Sequence, residues 1–384
     1  MDLDAFFASC EQLEHPECRG LPVVVGARPG QRGVVAAASY EARRFGIHSA
    51  MPIAEAFRRC PDAVFLQPDM ENYRRQSQQV FQILETLAPV VEAASIDEAY
   101  LDVSGLEKLL GTPAAIGHEI KQRIHDGTGL TASVGIGPNR LIAKLGSEHR
   151  KPDGLTVVNS EQILDFLAPM PVANLRGLGR QTQKIFSRLG INTVKQLRAF
   201  PLPLLEQQLG KKAAASFHSQ ALGIASDQIL PGQRRKSISK ETTFETDIRD
   251  NTRLHDALRG LSADVARTAR REGLSGTVVT LKIRFAGFET CTRQHKRTMP
   301  TCDEREMLKT AWQLFLDGKL PDKPVRLIGI GLSGWEEHQH AQADLFDQPE
   351  QQHDNKRLLQ TIDAVTEKFG KHLLQVGVSR KPGK

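Results

Sequence analysis

Between Ser160 and about Ala225 no run of the sequence reads as a β-strand. Short helix-length pieces are broken there by "PMP", "GLG", "LGI" and "FPLP", and Pro and Gly at such joints end helices. This strand-free interval divides the chain, because the patterns on its two sides differ. Upstream, short strands and helices alternate, which describes a mixed α/β domain up to about Val158. Downstream, after the polar, basic "SDQILPGQRRKS", the runs "SISKETTFE", "GTVVTLKIRFAGFET", "CTRQHKRTM" and "PVRLIGIGLSGWE" read as strands. Two helices lie among them, "RLHDALRGLSADVARTARREG" and "DEREMLKTAWQLFLDG", so this part is an α+β unit. A chain of 384 residues also exceeds one small core.

In the upstream part "LPVVVGA" and "GVVAAASYEARRFGI" read as strand, turn, strand and helix. The helix in "ENYRRQSQQVFQILETLAP" carries an apolar stripe at Val80, Ile83, Leu84 and Leu87 and ends before Pro89. "VVEAAS" and "AYLDVS" are strands, with "IDE" where they meet. "AAIGHEIKQRIHDGTG" is a helix closed by Gly127 and Gly129; "LTASVGIG" is a strand; "NRLIAKLGSEHRK" is a helix capped by Asn139. Asp4 precedes "AFFASCEQL" and is expected to cap that helix. From His338 the chain turns polar and Gln-rich, and "NKRLLQTIDAVTEKFGKHLL" ends it as an amphipathic stretch with no assigned function. There is no internal repeat.

Cys10, Cys18, Cys60, Cys291 and Cys302 form no Cys-x-x-Cys pair and no His cluster has zinc spacing, which argues against a zinc site. Five irregularly spaced cysteines read as reduced thiols of a cytoplasmic protein. No apolar run reaches the ~18 residues of a membrane span, and the acidic first residues do not read as a signal peptide. The formal charge of +6 hints at a polyanionic partner. That excess is local: Arg234 to Trp335 carries 20 Lys and Arg against 13 Asp and Glu.

Asp2 ends a short extended segment, and Asp97 and Glu98 lie at the junction of two strands that a sheet can bring beside it. Three carboxylates converging at strand ends make a hard-oxygen site suited to Mg²⁺. Two such ions about 4 Å apart activate a hydroxyl and neutralise a leaving pyrophosphate. Asp-x-Asp and Asp-Glu are also common turn and capping acids, and residue types alone leave both readings open.

"DLDAFFASCE", "VVAAASYEARRFGIHSAMP", "SIDEAYLDVS", "TASVGIGPNRLIAKLGSEHRKPDG" and "LRGLGRQTQKIFSRLGI" stand in the order and rough spacing of Y-family DNA polymerases. The chain resembles that family, most nearly its bacterial DinB type, over about residues 1–335. The resemblance implies a multidomain right-hand fold of α/β and α+β parts. The palm would be residues 1–10 and 73–158, the fingers 11–72, and the helical thumb with a helix-hairpin-helix 159–226. A linker at 227–237, an α+β little finger at 238–336 and a tail at 337–384 would follow.

The implied metal ligands are Asp2, Asp97, Glu98 and the Leu3 carbonyl, holding two Mg²⁺. The implied sugar gate is Phe7, with Phe6 beside it near the nucleotide or packed in the palm. Tyr40 and Arg43, spaced i and i+3 so that both face one way, would contact the triphosphate with Lys151. Ala36 and Ala50 would form a slack roof over the nascent base pair. Gly177 and Gly179 would let a backbone approach phosphate, and Arg293, Lys296 and Arg297 would meet DNA in the little finger. "QADLF" resembles a clamp-docking pentapeptide, with Gln342, Leu345 and Phe346 as contacts and Ala343 where the usual pattern has Leu. Partners would be primer-template DNA, dNTP and a sliding clamp, with no membrane, for a monomer.

No second acidic cluster suggests a proofreading exonuclease, so the implied enzyme is a low-fidelity, poorly processive one that bypasses DNA damage. A catalytically dead scaffold would have lost the three acids, which are present. A nucleotidyl cyclase or glycosyltransferase would not need the hairpin, the basic unit and the clamp-like peptide. Family members usually carry several strand residues before the first acid. With Met1 alone preceding Asp2, the expectation is that the natural chain starts upstream or that this form is weakened.

Overall fold

The computed structural model describes residues 1–232, 235–335 and 349–370. The chain divides into two units, Met1–Gln233 and Arg234–Lys384. In the first, strands β1 (Asp2–Leu3), β2 (Val23–Gly26), β3 (Val35–Ala38), β4 (Val64–Leu66), β5 (Val90–Ala93), β6 (Ala99–Asp102), β7 (Ala132–Ile136) and β8 (Leu155–Val157) make three small sheets. Their orders are β1-β7-β8, β3-β2-β4 and the β5-β6 hairpin.

The helices Phe6–Glu14, Met70–Leu87 and Pro113–Thr128 close a core with β1, β2 and β7. Val80, Leu84 and Leu87 face it, as their spacing anticipates, and Gly129 ends the last helix in the left-handed region. A separate core lies under the β3-β2-β4 sheet, built from Val24, Val35, Ile47, Ile53 and Ala56. The strand-free interval is helical, with Phe186, Leu197, Leu205 and Phe217 at its centre. Leu141, Ile142 and Leu145 of the Arg140–His149 helix also enter that core. This helix therefore serves two neighbours, because its other side lies on β7.

The contact with β7 has no slack. A Cβ at Gly135 would stand 2.1 Å from the Ala143 carbonyl oxygen and 2.3 Å from the Ser147 nitrogen. Glycine at this strand position thus sets the height of the Arg140–His149 helix above the sheet. Gly135→Ala is expected to destabilise the protein by about 3 kcal/mol, since backbone and not a flexible side chain must move. A thermal melt checks this; an unchanged midpoint would contradict it.

The second unit is one antiparallel sheet of β9 (Ser237–Ile248), β10 (Gly276–Phe285), β11 (Thr290–Thr301) and β12 (Val325–Trp335), ordered β11-β10-β12-β9. Helices Asn251–Arg271 and Glu304–Asp317 cover one face, where Val279, Leu281, Ile283 and Phe285 meet Leu258, Val265 and Met307. The period-two alternation read from these strands is what produces that buried face. The opposite face is small and polar. Along the ladder, Thr280 pairs with Gln294 and Gly331, and Lys282 pairs with Thr292 and Gly329. The terminal amphipathic stretch overlaps the helix Pro349–Phe369, in which Asp363 accepts from Arg270 Nε and Nη2 at 2.6 and 2.8 Å.

Candidate active site

Strand β1 is two residues long, yet it is held from both sides. Asp2 pairs with Ser133 of β7, and an isolated bridge joins it to Glu98. The Leu3 N–H donates to the Asp97 carbonyl at 2.9 Å, and the Ala99 N–H to the Met1 carbonyl at 3.1 Å. The Met1 amine donates to the Ala99 carbonyl at 2.8 Å, and burial pushes it down to about 6. These bonds make β1 the only described link in register between the β5-β6 hairpin and the β7 sheet.

Asp2 and Glu98 share a cation. Lys144 Nζ donates to Asp2 Oδ2 at 2.7 Å and to Glu98 Oε1 at 2.9 Å, and lies 3.0 Å from Glu148 Oε1. Lys151 Nζ donates to the other Asp2 oxygen. Burial opposes ionisation of Asp2, but the bonds from both lysines outweigh it and hold its pKa below the ordinary value. The same pairs outweigh burial of Lys144 and raise its pKa. Asp97 stands apart: its carboxylate accepts from Ser95 Oγ at 2.6 Å. Among the described residues no three metal-binding side chains are gathered. Two of the three expected acids thus converge, and they hold two ammonium groups where a hard cation's charge would be balanced.

Asp4 does not cap the following helix. The residue at the cap is Ala5, in the left-handed region with φ 45° and no side-chain bond. Asp4 is instead buried, and its carboxylate accepts from the Ser133 hydroxyl at 2.8 Å, the Tyr40 hydroxyl at 3.3 Å and the Asp153 N–H at 2.8 Å. A carboxylate beside two strands found better donors across the fold than along its own helix. Asn139 does cap its helix, accepting from the Ile142 N–H at 3.1 Å.

Phe7 is half-buried and stacks on the buried Tyr73, with centroids 4.3 Å apart and planes 13° apart. The Tyr73 hydroxyl donates to the buried Glu11. Phe6 lies in the core at 3% exposure rather than at an open surface. Arg43 lies 4.5 Å over the Tyr40 ring, so the i, i+3 pair does face one way. Burial, then the nearby Asp4 charge, pushes the Tyr40 hydroxyl up to about 12. Ala36 and Ala50 are both exposed, and the Ala50 N–H donates to the Val35 carbonyl at 2.8 Å.

In the strand-free part, Gly177 has φ +79°, and Gly179 starts the helix Arg180–Arg188, with open space where either Cβ would be. The Arg176 N–H and carbonyl are both held by the Gln220 amide, at 2.9 and 3.1 Å. In the second unit Arg293, opposite the buried Leu281, does not share the face of Lys296, and neither does Arg297. Arg297 donates to Glu306 at 2.8 Å and Thr310 at 3.2 Å on the helical face, because consecutive strand residues point to opposite faces. Lys296, Lys282 and Arg284 share the open face by register. Gln342, Leu345 and Phe346 lie outside the described residues.

Residues 1–148 match the impB/mucB/samB family, residues 173–224 the DNA polymerase-iota thumb domain, and residues 235–345 the impB/mucB/samB C-terminal domain. The chain is 43% identical over 335 residues to a DNA polymerase IV of Alkalilimnicola ehrlichii, covering 87% of this chain and 94% of that one. The chain belongs to the Y-family of DNA polymerases. Its fold resembles a solved chimera of the Y-family polymerases Dbh and Dpo4, at 27% identity and a TM-score of 0.75 over 87% of this chain and 97% of that one. It also resembles an insertion ternary complex of Dbh DNA polymerase, at 26% identity and a TM-score of 0.63, with 87% and 97% covered. The fold is therefore the right-hand polymerase fold expected of the sequence.

The sequence reading missed Lys144, Ser133, Tyr73 and the role of Asp4. For Lys144 a signal existed: Glu148 and Lys151 follow at i+4 and i+7, one face of a helix and its extension. No one-dimensional signal marks Ser133.

Proposed function

We propose that this DNA-directed DNA polymerase of the translesion class transfers a deoxynucleotide from dNTP to a primer 3′-hydroxyl at Asp2, Asp97 and Glu98, with low fidelity and without proofreading. The single observation that carries the reading is the pairing of Asp2 and Glu98 around a shared cation, Lys144, at the joint of β1, β6 and β7. The carboxylate donor set suits two Mg²⁺ ions, with Asp97 and the Leu3 carbonyl as the further ligands. When bound, such ions supply Lewis-acid activation of the hydroxyl and neutralise the leaving pyrophosphate.

The chain's own residues then bind and orient. Lys151, Tyr40 and Arg43 meet the triphosphate, and Phe7 excludes a 2′-hydroxyl by contact. The exposed alanines 36 and 50 leave slack over the base pair. Gly177 and Gly179 offer backbone N–H groups to the DNA phosphates. Lys296, Lys282 and Arg284, on a face otherwise rich in Gly, Ser and Thr, give sequence-independent, salt-dependent binding. The palm, fingers, thumb and little finger take the boundaries read from the sequence. A sliding clamp is the proposed partner of Gln342, Leu345 and Phe346, the working form is a monomer, and the location is the cytoplasm.

Extension of a primed template with Mg²⁺, across undamaged and lesion-bearing positions, tests the reading. Absence of extension on both would overturn it. Lys144→Met carries a separate expectation. Without the shared ammonium, Asp2 keeps only Lys151 and Glu98 faces it with no described cation of its own, costing roughly 2 kcal/mol of metal-free stability. Mg²⁺ should then raise the melting temperature of the variant more than that of the wild type; equal shifts would contradict the cation-sharing account.

A further inference from the structure

We infer that Asp4 is a positioning residue for the triphosphate-binding groups. The inference rests on the reading above that Tyr40 and Lys151 meet the nucleotide. Asp4 is 2% exposed. Among the described residues no lysine or arginine donates to its carboxylate; its three described donors are the Ser133 hydroxyl, the Tyr40 hydroxyl and the Asp153 N–H. Those donors come from three separate parts of the first unit. Tyr40 opens the short helix Tyr40–Arg43, Ser133 is in β7, and Asp153 lies in the turn that carries Lys151.

The two oxygens divide the work. Oδ2 holds the 151–154 turn through the Asp153 N–H, at a residue with φ +53°. A non-glycine residue in that region persists only when its surroundings over-determine it. Ser133 Oγ adds to the clamp, since it donates to Asp4 Oδ1 and accepts from the Gly154 N–H at 3.2 Å. Oδ1 also receives the Tyr40 hydroxyl, through the longest of the three bonds. A tyrosine hydroxyl has one proton. While Asp4 holds it, that proton is not available to a phosphate oxygen, so nucleotide binding exchanges this bond for one to phosphate. The Ser133 and Asp153 bonds remain and keep Asp4 and the turn in place. Asp4 therefore fixes where Lys151 starts and aims Tyr40 before the nucleotide arrives.

Asp4→Asn tests this with little change of volume. One acceptor oxygen becomes an N–H₂ group, and it must face either the Asp153 N–H or the two hydroxyls. The expected result is a KM for dNTP raised about tenfold or more, with kcat changed far less and primer-template affinity unchanged. The effect should shrink in a Tyr40→Phe background and should appear, weaker, in Ser133→Ala, which touches no nucleotide. A wild-type KM in folded Asp4→Asn, while Tyr40→Phe and Lys151→Ala each raise KM, overturns the inference. If Tyr40→Phe and Lys151→Ala leave KM unchanged, the triphosphate reading itself fails. Should Asp4→Asn not fold, Ser133→Ala decides: an unchanged KM for dNTP overturns the inference.

Discussion

Asp2→Asn is expected to abolish template-directed extension, with a loss in kcat of about a thousandfold or more. The substitution keeps the size of a buried side chain but removes a hard-oxygen ligand and its charge. It also leaves Lys151 without the carboxylate it is bound to, while Lys144 keeps Glu98 and Glu148. Breaking part of such a buried network costs stability as well, by about 1–3 kcal/mol here because Lys144 stays paired. Single-turnover extension and a melt of the same protein separate the two effects. A folded Asp2→Asn enzyme that extends primers at the wild-type rate would remove Asp2 from the chemistry. The acid side supplies a second readout. The folded pKa of Asp2 is depressed, so its pairing stabilises the protein above the ordinary carboxylate pKa. That stabilisation is lost as pH falls through the lower folded value. Acid unfolding should therefore be less steep in Asp2→Asn than in wild type.

Phe7→Ala is expected to raise ribonucleotide use relative to deoxynucleotide use by roughly a hundredfold, about 2.7 kcal/mol of discrimination. A gate works by contact only if its ring cannot give way. Here the ring has one face against Tyr73 at 4.3 Å, and Tyr73 is fully buried with its hydroxyl tied to Glu11. The proposed gate is thus backed by the core, and truncation opens the space without moving the acids. Competition between a ribonucleotide and the matching deoxynucleotide in primer extension measures the ratio. An unchanged ratio would return Phe7 to a packing role.

The sequence made some parts of this molecule legible and hid others for physical reasons. The long strands of the second unit were readable because ten or more alternating residues carry a period-two signal above noise. The two-residue β1 and the three-residue β4 and β8 carry no such signal, and tertiary pairing alone defines them. Asp97 and Glu98 could be placed at a strand junction, but rotamers separate neighbours: Glu98 turns to Lys144 and Asp97 to Ser95. Arg297 was grouped with Lys296 by closeness in the chain, although alternation already sets them on opposite faces. Asp4 looked like a helix cap because capping is local, while its actual donors lie 36, 129 and 149 positions away.

The Asp2–Glu98 bridge makes the proposed reaction centre a seam. One carboxylate rides on the β7 sheet and the other on a separate hairpin, and two residues of backbone stitch them together. A slip of one residue along that stitch would turn Asp2 to the far side of the sheet and leave Glu98 alone. With the proposed acids in that role, catalytic competence and local mechanical integrity are one property: an enzyme frayed at this edge would not work. Activity loss should accordingly precede global melting on heating, with the seam as the first thing to part.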